Sequence, residues 1–222
     1  AYQEAGEDPK ALECIPMLKR SDIKREAAKI INEELTVDDS LFLYHDVCTN
    51  GIGYVDLMFK TDSIAPEQIP YLGLLKYVLG YVDTENYTYG ELFNEINANT
   101  GGINCGVEVF DRADSTEEFQ AMFSVRGKAL YTKMDFLFKM IGEILNSSKL
   151  EDTKRLYEIV ASVKSRAQVN LTGAGHSTAV LRAAAYSSPM AAFQDEMAGI
   201  GYYQFIEKLE KDFEQRKEET VE

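Results

Sequence analysis

Histidine is scarce in this 222-residue sequence, which has only His45 and His176. A catalytic zinc takes about three protein ligands and keeps one position open. Two histidines set far apart in the chain do not supply that set. His45 lies near Cys48, but strand spacing would put the two on opposite faces. A strand-end histidine and a small buried thiol are therefore expected there, and no metal site. Cysteine is also rare. Cys14, Cys48 and Cys105 form an odd, widely separated set, which implies no disulfide framework and suits a reducing, cytoplasmic setting.

Long apolar runs are missing too. The longest, such as Leu41-Phe42-Leu43-Tyr44 and Leu74-Leu75, fall far short of the roughly 18 to 20 residues that span a bilayer, so no membrane segment is expected. The amino terminus, Ala1-Tyr2-Gln3-Glu4, has neither an initiator Met nor the basic-then-apolar layout of a secretory signal, which fits an excised or processed chain. Basic charge is in deficit: 23 Lys and Arg stand against 37 Asp and Glu, giving a formal charge of -14. A field of that sign repels nucleic acid and anionic lipid and attracts basic peptides. Its first consequence is solubility.

What the chain does have is enough apolar material for a core, 45% of its residues, and a length that reads as one large globular domain with an appended arm. Residues 1 to about 30 are polar, carry Pro9 and Pro16, and suggest an arm with a helical turn around Ser21 to Lys29. Leu41 to Val47, the Asn50-Gly51 turn signal, and the alternation of Val55, Leu57 and Phe59 with Tyr54, Asp56 and Met58 predict an antiparallel hairpin. Pro66 to Val82 predicts a deeply buried helix with Leu72, Leu75, Leu79 and Val82 on one stripe.

Thr88-Tyr89-Gly90-Glu91 has the capping-box pattern and opens a helix carrying Tyr89, Leu92, Phe93 and Ile96, which Thr100-Gly101-Gly102 stops. Ile103 to Phe110 and Phe119 to Val125 alternate as a second hairpin. The remainder is helical. One stripe runs from Leu130 through Met134, Leu137, Phe138 and Ile141 to Leu145, and another from Leu156 to Ala167. A small-residue helix follows from Ser177, and the last helix places Tyr202, Phe205, Ile206, Leu209 and Phe213 on one face before fraying at Gln215. Two hairpins among helices imply an α+β fold, an antiparallel sheet covered by helices.

Few residues suggest chemistry. Gly173-Ala174-Gly175-His176 imitates a phosphate-cradling loop, but it follows a helix where such a loop follows a strand, so helix termination is the better reading. His176 has no nucleophile that sequence can pair with it. Asp56 shares a face with Tyr54 and Met58, away from Val55 and Leu57, and is expected to be partly solvated. Glu117-Glu118 and Glu218-Glu219 read as solvated surface. The aromatic stripe from Tyr202 to Phe213 reads as core.

Five segments in order carry a resemblance. They are Thr49 to Leu57, Ile69-Pro70-Tyr71-Leu72-Gly73-Leu74-Leu75, Tyr87 to Leu92 with Thr100 to Ile103, Arg182 to Pro189, and Gly199-Ile200-Gly201-Tyr202-Tyr203-Gln204-Phe205. Together they resemble the third, non-catalytic domain of pitrilysin/insulinase-type zinc metallopeptidases of the presequence protease and falcilysin branch. Ile15 to Ile30 resembles the end of the connector between the halves of such enzymes. The resemblance implies a connector over residues 1–30 and a peptidase-like α+β domain over 31–222.

In that family four similar domains close around a chamber, and the first carries His-x-x-Glu-His on its first long helix. Both histidines hold zinc and the glutamate activates its water. The matching positions here are Tyr71, Leu74 and Leu75, none of which can take those roles. No catalytic, cofactor or metal residue is therefore expected in this chain, and Glu158 would be idle without the histidines. The Arg and Tyr that the family's second half lends to substrate belong to a fourth domain, which this chain is expected to stop short of.

The resemblance thus implies a larger zinc-dependent endopeptidase of unfolded peptides, inactive in this segment alone. Its zinc would lie elsewhere in the parent polypeptide. The partners would be the other domains of that polypeptide and its peptide substrates, with no nucleic acid and no membrane. Subunits of the same fold with degenerate motifs also serve as scaffolds in larger complexes, which gives the alternative.

Overall fold

The computed structural model describes residues 6, 8–26, 29, 31–115 and 117–221. The chain divides into two compact units, residues 1–48 and 49–222. Among the described residues no helix is long and apolar enough to cross a membrane.

The first unit contains a short helix α1 (Pro9–Leu12), a 3-10 turn at Arg20–Asp22, and strands β1 (Glu33–Val37) and β2 (Ser40–Tyr44). Of the helical turn expected around Ser21 to Lys29, only that 3-10 turn forms among the described residues; residues 27 and 28 lie outside them. β1 and β2 pair antiparallel, with Val37 opposite Ser40. The two residues between them, Asp38 and Asp39, have φ of 45° and 65°. Positive φ at both central positions matches the twist of a tight hairpin, and aspartate tolerates it better than most side chains.

This corrects the expected hairpin through Asn50-Gly51. The turn at Asn50 and Gly51 is present, with φ of 53° and 83°, but it does not join two paired strands. β2 pairs with β1, and the strand after the turn, β3 (Ile52–Lys60), pairs with β5 (Phe119–Leu130).

In the second unit β5 is the central strand of a three-stranded antiparallel sheet, flanked by β3 and by β4 (Ile103–Asp111). Its odd-numbered residues Phe123, Val125 and Ala129 turn to one face, where Val55, Leu57, Ile103, Cys105 and Val107 join them in a core cluster. Period-two alternation makes one face of each strand apolar. Burial raises the Cys105 thiol to about 11, so it stays protonated and behaves as a small apolar group.

Helices cover that face. α2 (Ile69–Val78) contributes Leu72 and Leu75, α3 (Tyr89–Asn99) Leu92 and Ile96, and α4 (Met134–Ser147) Leu137, Met140, Ile141 and Ile144. The capping box at Thr88 forms as expected: Glu91 N donates to Thr88 Oγ1 at 3.3 Å, and Thr88 N donates to a Glu91 carboxylate oxygen at 3.0 Å. α2 ends at Val78 and not at Val82, because Leu79 turns extended and Gly80 takes φ of 84°. Val82 is still buried, reached by loop. The expected stripes also included Tyr89, Phe93, Leu130 and Phe138, which are exposed.

A second core cluster lies among α2, α5 (Thr153–Gly173), α8 (Ile200–Lys211) and the start of α9 (Phe213–Val221). It contains Leu74, Val78, Leu156, Ile159, Val160, Val163, Tyr202, Ile206, Leu209 and Phe213. α6 (Gly175–Ala184) and α7 (Pro189–Ala198) connect α5 to α8. The stretch expected to fray from Gln215 instead continues as α9, with Phe213 buried at its first position. α2 belongs to both clusters. Leu72 enters one and Leu74 the other.

Candidate functional site

α2 is the element on which a peptidase of this kind would grip its metal, so its side chains decide what the unit can do. Pro70 sits in the first turn, where a missing N–H costs nothing. Tyr71 is half-buried, its ring edge-on to Phe205 with centroids 4.8 Å apart, and its hydroxyl accepts a hydrogen bond from Arg216 Nη2 at 2.9 Å. Leu74 is 4% exposed within the second cluster. Leu75 packs half-buried against the sheet-side cluster. Two of the three side chains have no lone pair, and the third is a phenol held by a guanidinium. This donor set does not fit zinc.

The middle of the same helix is shaped around Tyr202. A Cβ built on Gly73 would lie 2.8 Å from Tyr202 Cε2 and 3.1 Å from the Met197 carbonyl oxygen. Only glycine lets the ring lie this close to the helix backbone.

A buried carboxylate organises the other end of the helical layer. Asp195, on α7, is 1% exposed. Its Oδ1 accepts from Ile200 N and its Oδ2 from Gly201 N, each at 3.0 Å, and Arg182 Nη1 donates to Oδ2 at 2.6 Å. Asp195 thus caps the free N–H groups that open α8. The ion pair raises Arg182 above its ordinary value. A Cβ on Gly199 would collide with Asp195 Oδ1, and one on Gly201 would come within 2.9 Å of Oδ2. The Gly199-Ile200-Gly201 segment and the Arg182 to Pro189 segment are therefore two sides of one contact. Asp195 was not singled out from sequence, although an aspartate followed by Gly199 and Gly201 at a helix junction is a readable cap signal.

The sheet's other face is open. Arg126 on β5 bridges Asp56 on β3 (3.2 Å) and Glu108 on β4 (3.0 Å), with Tyr54 and Met58 exposed beside it. Asp56 is partly solvated, as its strand alternation requires. Such exposed pairs contribute about 0–1 kcal/mol each. Their use is to set the charge pattern of a surface that an extended chain could lie against.

The remaining sequence candidates stay dispersed. His45 lies just beyond β2, its Nδ1 2.9 Å from the Ile31 carbonyl oxygen, and Cys48 is exposed. His176 is exposed at the second position of α6. Gly173 and Gly175 mark a helix-to-helix junction, with α5 ending at the first and α6 opening at the second. Glu158 is exposed and paired with Arg155 at 3.1 Å. Glu117, Glu118 and Glu218 are exposed, and the Glu219 side chain lies outside the described residues. Among the described residues no group of three or more His, Cys, Asp or Glu side chains could hold a metal ion.

Comparison with known proteins agrees with this architecture. "Protein HypA" of Clostridium perfringens is 36% identical over 210 residues, covering 95% of this chain and 22% of that protein. "Presequence protease 1, chloroplastic/mitochondrial" of Arabidopsis thaliana is 29% identical over 209 residues, covering 94% of the chain and 19% of its own length. "Presequence protease, mitochondrial" of Yarrowia lipolytica is 28% identical over 219 residues, covering 99% and 22%. The chain thus spans about a fifth of the length of these curated relatives. The family described as peptidase M16 (subfamily C) associated matches residues 1–209, and the chain belongs to that family.

Proposed function

We propose that this chain is a non-catalytic domain of a larger zinc-dependent endopeptidase that degrades unfolded peptides, and that it helps wall the chamber in which they are cut. One observation carries the reading. Tyr71, Leu74 and Leu75, at the positions of the family's zinc motif, are all spent on packing: a phenol held by Arg216, a core leucine, and a leucine against the sheet. A domain built this way supports a wall and does no chemistry, so the zinc would be held by another domain of the parent. Residues 1–30 would then serve as the end of its connector and 31–222 as the domain. The acidic balance of 37 against 23 supports a preference for basic peptides. The cysteine usage supports a cytoplasmic setting.

The test is the parent polypeptide with its activity. An upstream His-x-x-Glu-His and peptide cleavage by the full-length protein, with no turnover by residues 1–222 alone, is the expected result. A parent without that motif and without cleavage would mean a scaffold. In the active parent, kcat/KM should favour basic over acidic peptides at low salt and lose that preference as salt screens the field.

A further inference from the structure

The Tyr202 hydroxyl is buried and, among the described residues, has no hydrogen-bond partner. Its ring cannot swing away, because Gly73 and the Met197 carbonyl hold it. Tyr202 lines a cavity of about 70 Å³ among α2, α5, α6 and the α7–α8 junction, shared with Tyr77, Arg166, Asn170 and Thr178. Burial pushes the Tyr202 phenol well above its ordinary value, so the group is a hydrogen-bond donor throughout the physiological range.

The charge around this cavity is unusual for the chain. The sequence has 37 acidic residues, yet none lines the cavity. The Arg166 guanidinium stacks on the Tyr77 ring, 4.9 Å from its centroid, and has no ion-pair partner among the described residues. Lys76 lies 5.0 Å from the same ring and is equally unpaired among them, with burial lowering its pKa. Thr178 Oγ1 already donates to the Ala174 carbonyl, which leaves Arg166, Tyr202 and the Asn170 amide as the donors of the cavity. A water molecule would satisfy Tyr202. An anion would satisfy Tyr202 and also use the planar, unpaired guanidinium.

We propose that this cavity binds a carboxylate, with the Arg166 guanidinium and the Tyr202 hydroxyl donating to its oxygens. The volume suits the end of a molecule and not a whole side chain with its backbone. The carboxylate has two possible sources, a free small acid or the terminus of a peptide. The assignment rests on the cavity itself and stands whether or not the parent is a peptidase.

The experiment uses the 222-residue chain with acetate, observed by saturation-transfer NMR, and with two fluorescein-labelled tetrapeptides that differ only in a free or amidated C-terminus, observed by anisotropy. Acetate is expected to bind, and Arg166→Gln and Tyr202→Phe are each expected to weaken it by roughly tenfold, the loss for one charge-assisted hydrogen bond. Circular dichroism should be unchanged. A free-acid peptide that binds roughly tenfold tighter than its amide, and that acetate displaces, assigns the site to peptide termini. Equal peptide binding beside specific acetate binding assigns it to small acids. Absence of acetate binding, or binding that survives Arg166→Gln, overturns the proposal. Arg166 is exposed on α5, so that variant tests the idea even if Tyr202→Phe folds poorly.

Discussion

The ring of Tyr202 lies against the bare Cα of Gly73, so close that a methyl group there would stand 2.8 Å from Cε2. This contact joins α2 to α8 through the second core cluster, where Tyr202 is 3% exposed. Gly73→Ala sets two effects against each other. Helix propensity favours alanine by about 1 kcal/mol, and overpacking costs about 1–3 kcal/mol. The ring is hemmed in by Met197 as well, so overpacking wins and the variant should unfold at lower urea. Gly142→Ala, on α4 with nothing nearer than Asn146 Nδ2 at 4.0 Å, isolates the propensity term and should be stabilising by about 0.5–1 kcal/mol. Equal midpoints for the two variants would remove the close approach from the account.

Asp195 holds two helices and an arginine with one carboxylate. Replacing it with alanine deletes the cap on Ile200 N and Gly201 N and strands Arg182. The cost should be about 2–4 kcal/mol. Arg182→Ala leaves both backbone bonds in place, and the Arg182 side chain is 39% exposed, so solvent already screens the pair and the cost should be about 1 kcal/mol. Guanidinium unfolding of both variants checks the order. An Arg182 variant weaker than the Asp195 variant would contradict a capping role.

Glu143 on α4 ties down the loop between α2 and α3. Its carboxylate accepts from Asn86 N at 3.1 Å and from Asn86 Nδ2 at 2.9 Å. Hydrogen bonds from Thr84 and then Asn86 hold its pKa below the ordinary carboxylate value. The unfolded chain therefore takes up this proton first as pH falls. The stabilising contribution is complete above the unfolded pKa of roughly 4.3 and is lost as pH drops through the lower, folded value. Urea midpoints of wild type and Glu143→Gln should differ most near neutral pH and converge in acid. A constant gap down to pH 3 would assign the stabilisation to something other than this ionisation.

The parts of this fold that sequence reveals are those whose signals are local. The alternation in β4 and the second half of β3 gives their buried faces, and Thr88 with Glu91 gives the start of α3, because each needs only a few neighbouring residues. The strand pairing escapes for the opposite reason. β3 finds its partner in β5, with Asp56 opposite Arg126, and nothing near residue 56 specifies that register. The Asn50-Gly51 turn forms, but a turn signal does not say whether the strands on either side of it will pair, and Asp38-Asp39 does that work for β2. In the same way Tyr202 reads as core from its helical spacing, while its unsatisfied hydroxyl and its slot at Gly73 exist only once α2 and α8 meet.

The fate of α2 gives the sharpest experiment. Installing the family's metal triad as Tyr71→His, Leu74→Glu and Leu75→His would supply the ligand types that are missing. It would also place a carboxylate where Leu74 is 4% exposed among Val78, Val160 and Ile206, and remove the phenol that accepts from Arg216 and packs on Phe205. Truncating one such leucine costs about 2–5 kcal/mol, and burying an unpaired charge adds several more, against a total stability of about 5–15 kcal/mol for an ordinary domain. The triple variant should therefore lose its cooperative unfolding transition, and zinc titration should show no stoichiometric, saturable binding to a folded state. A folded triple variant that binds one zinc would mean that Leu74 faces a space able to open, and that this helix kept the geometry of a metal site while losing its ligands.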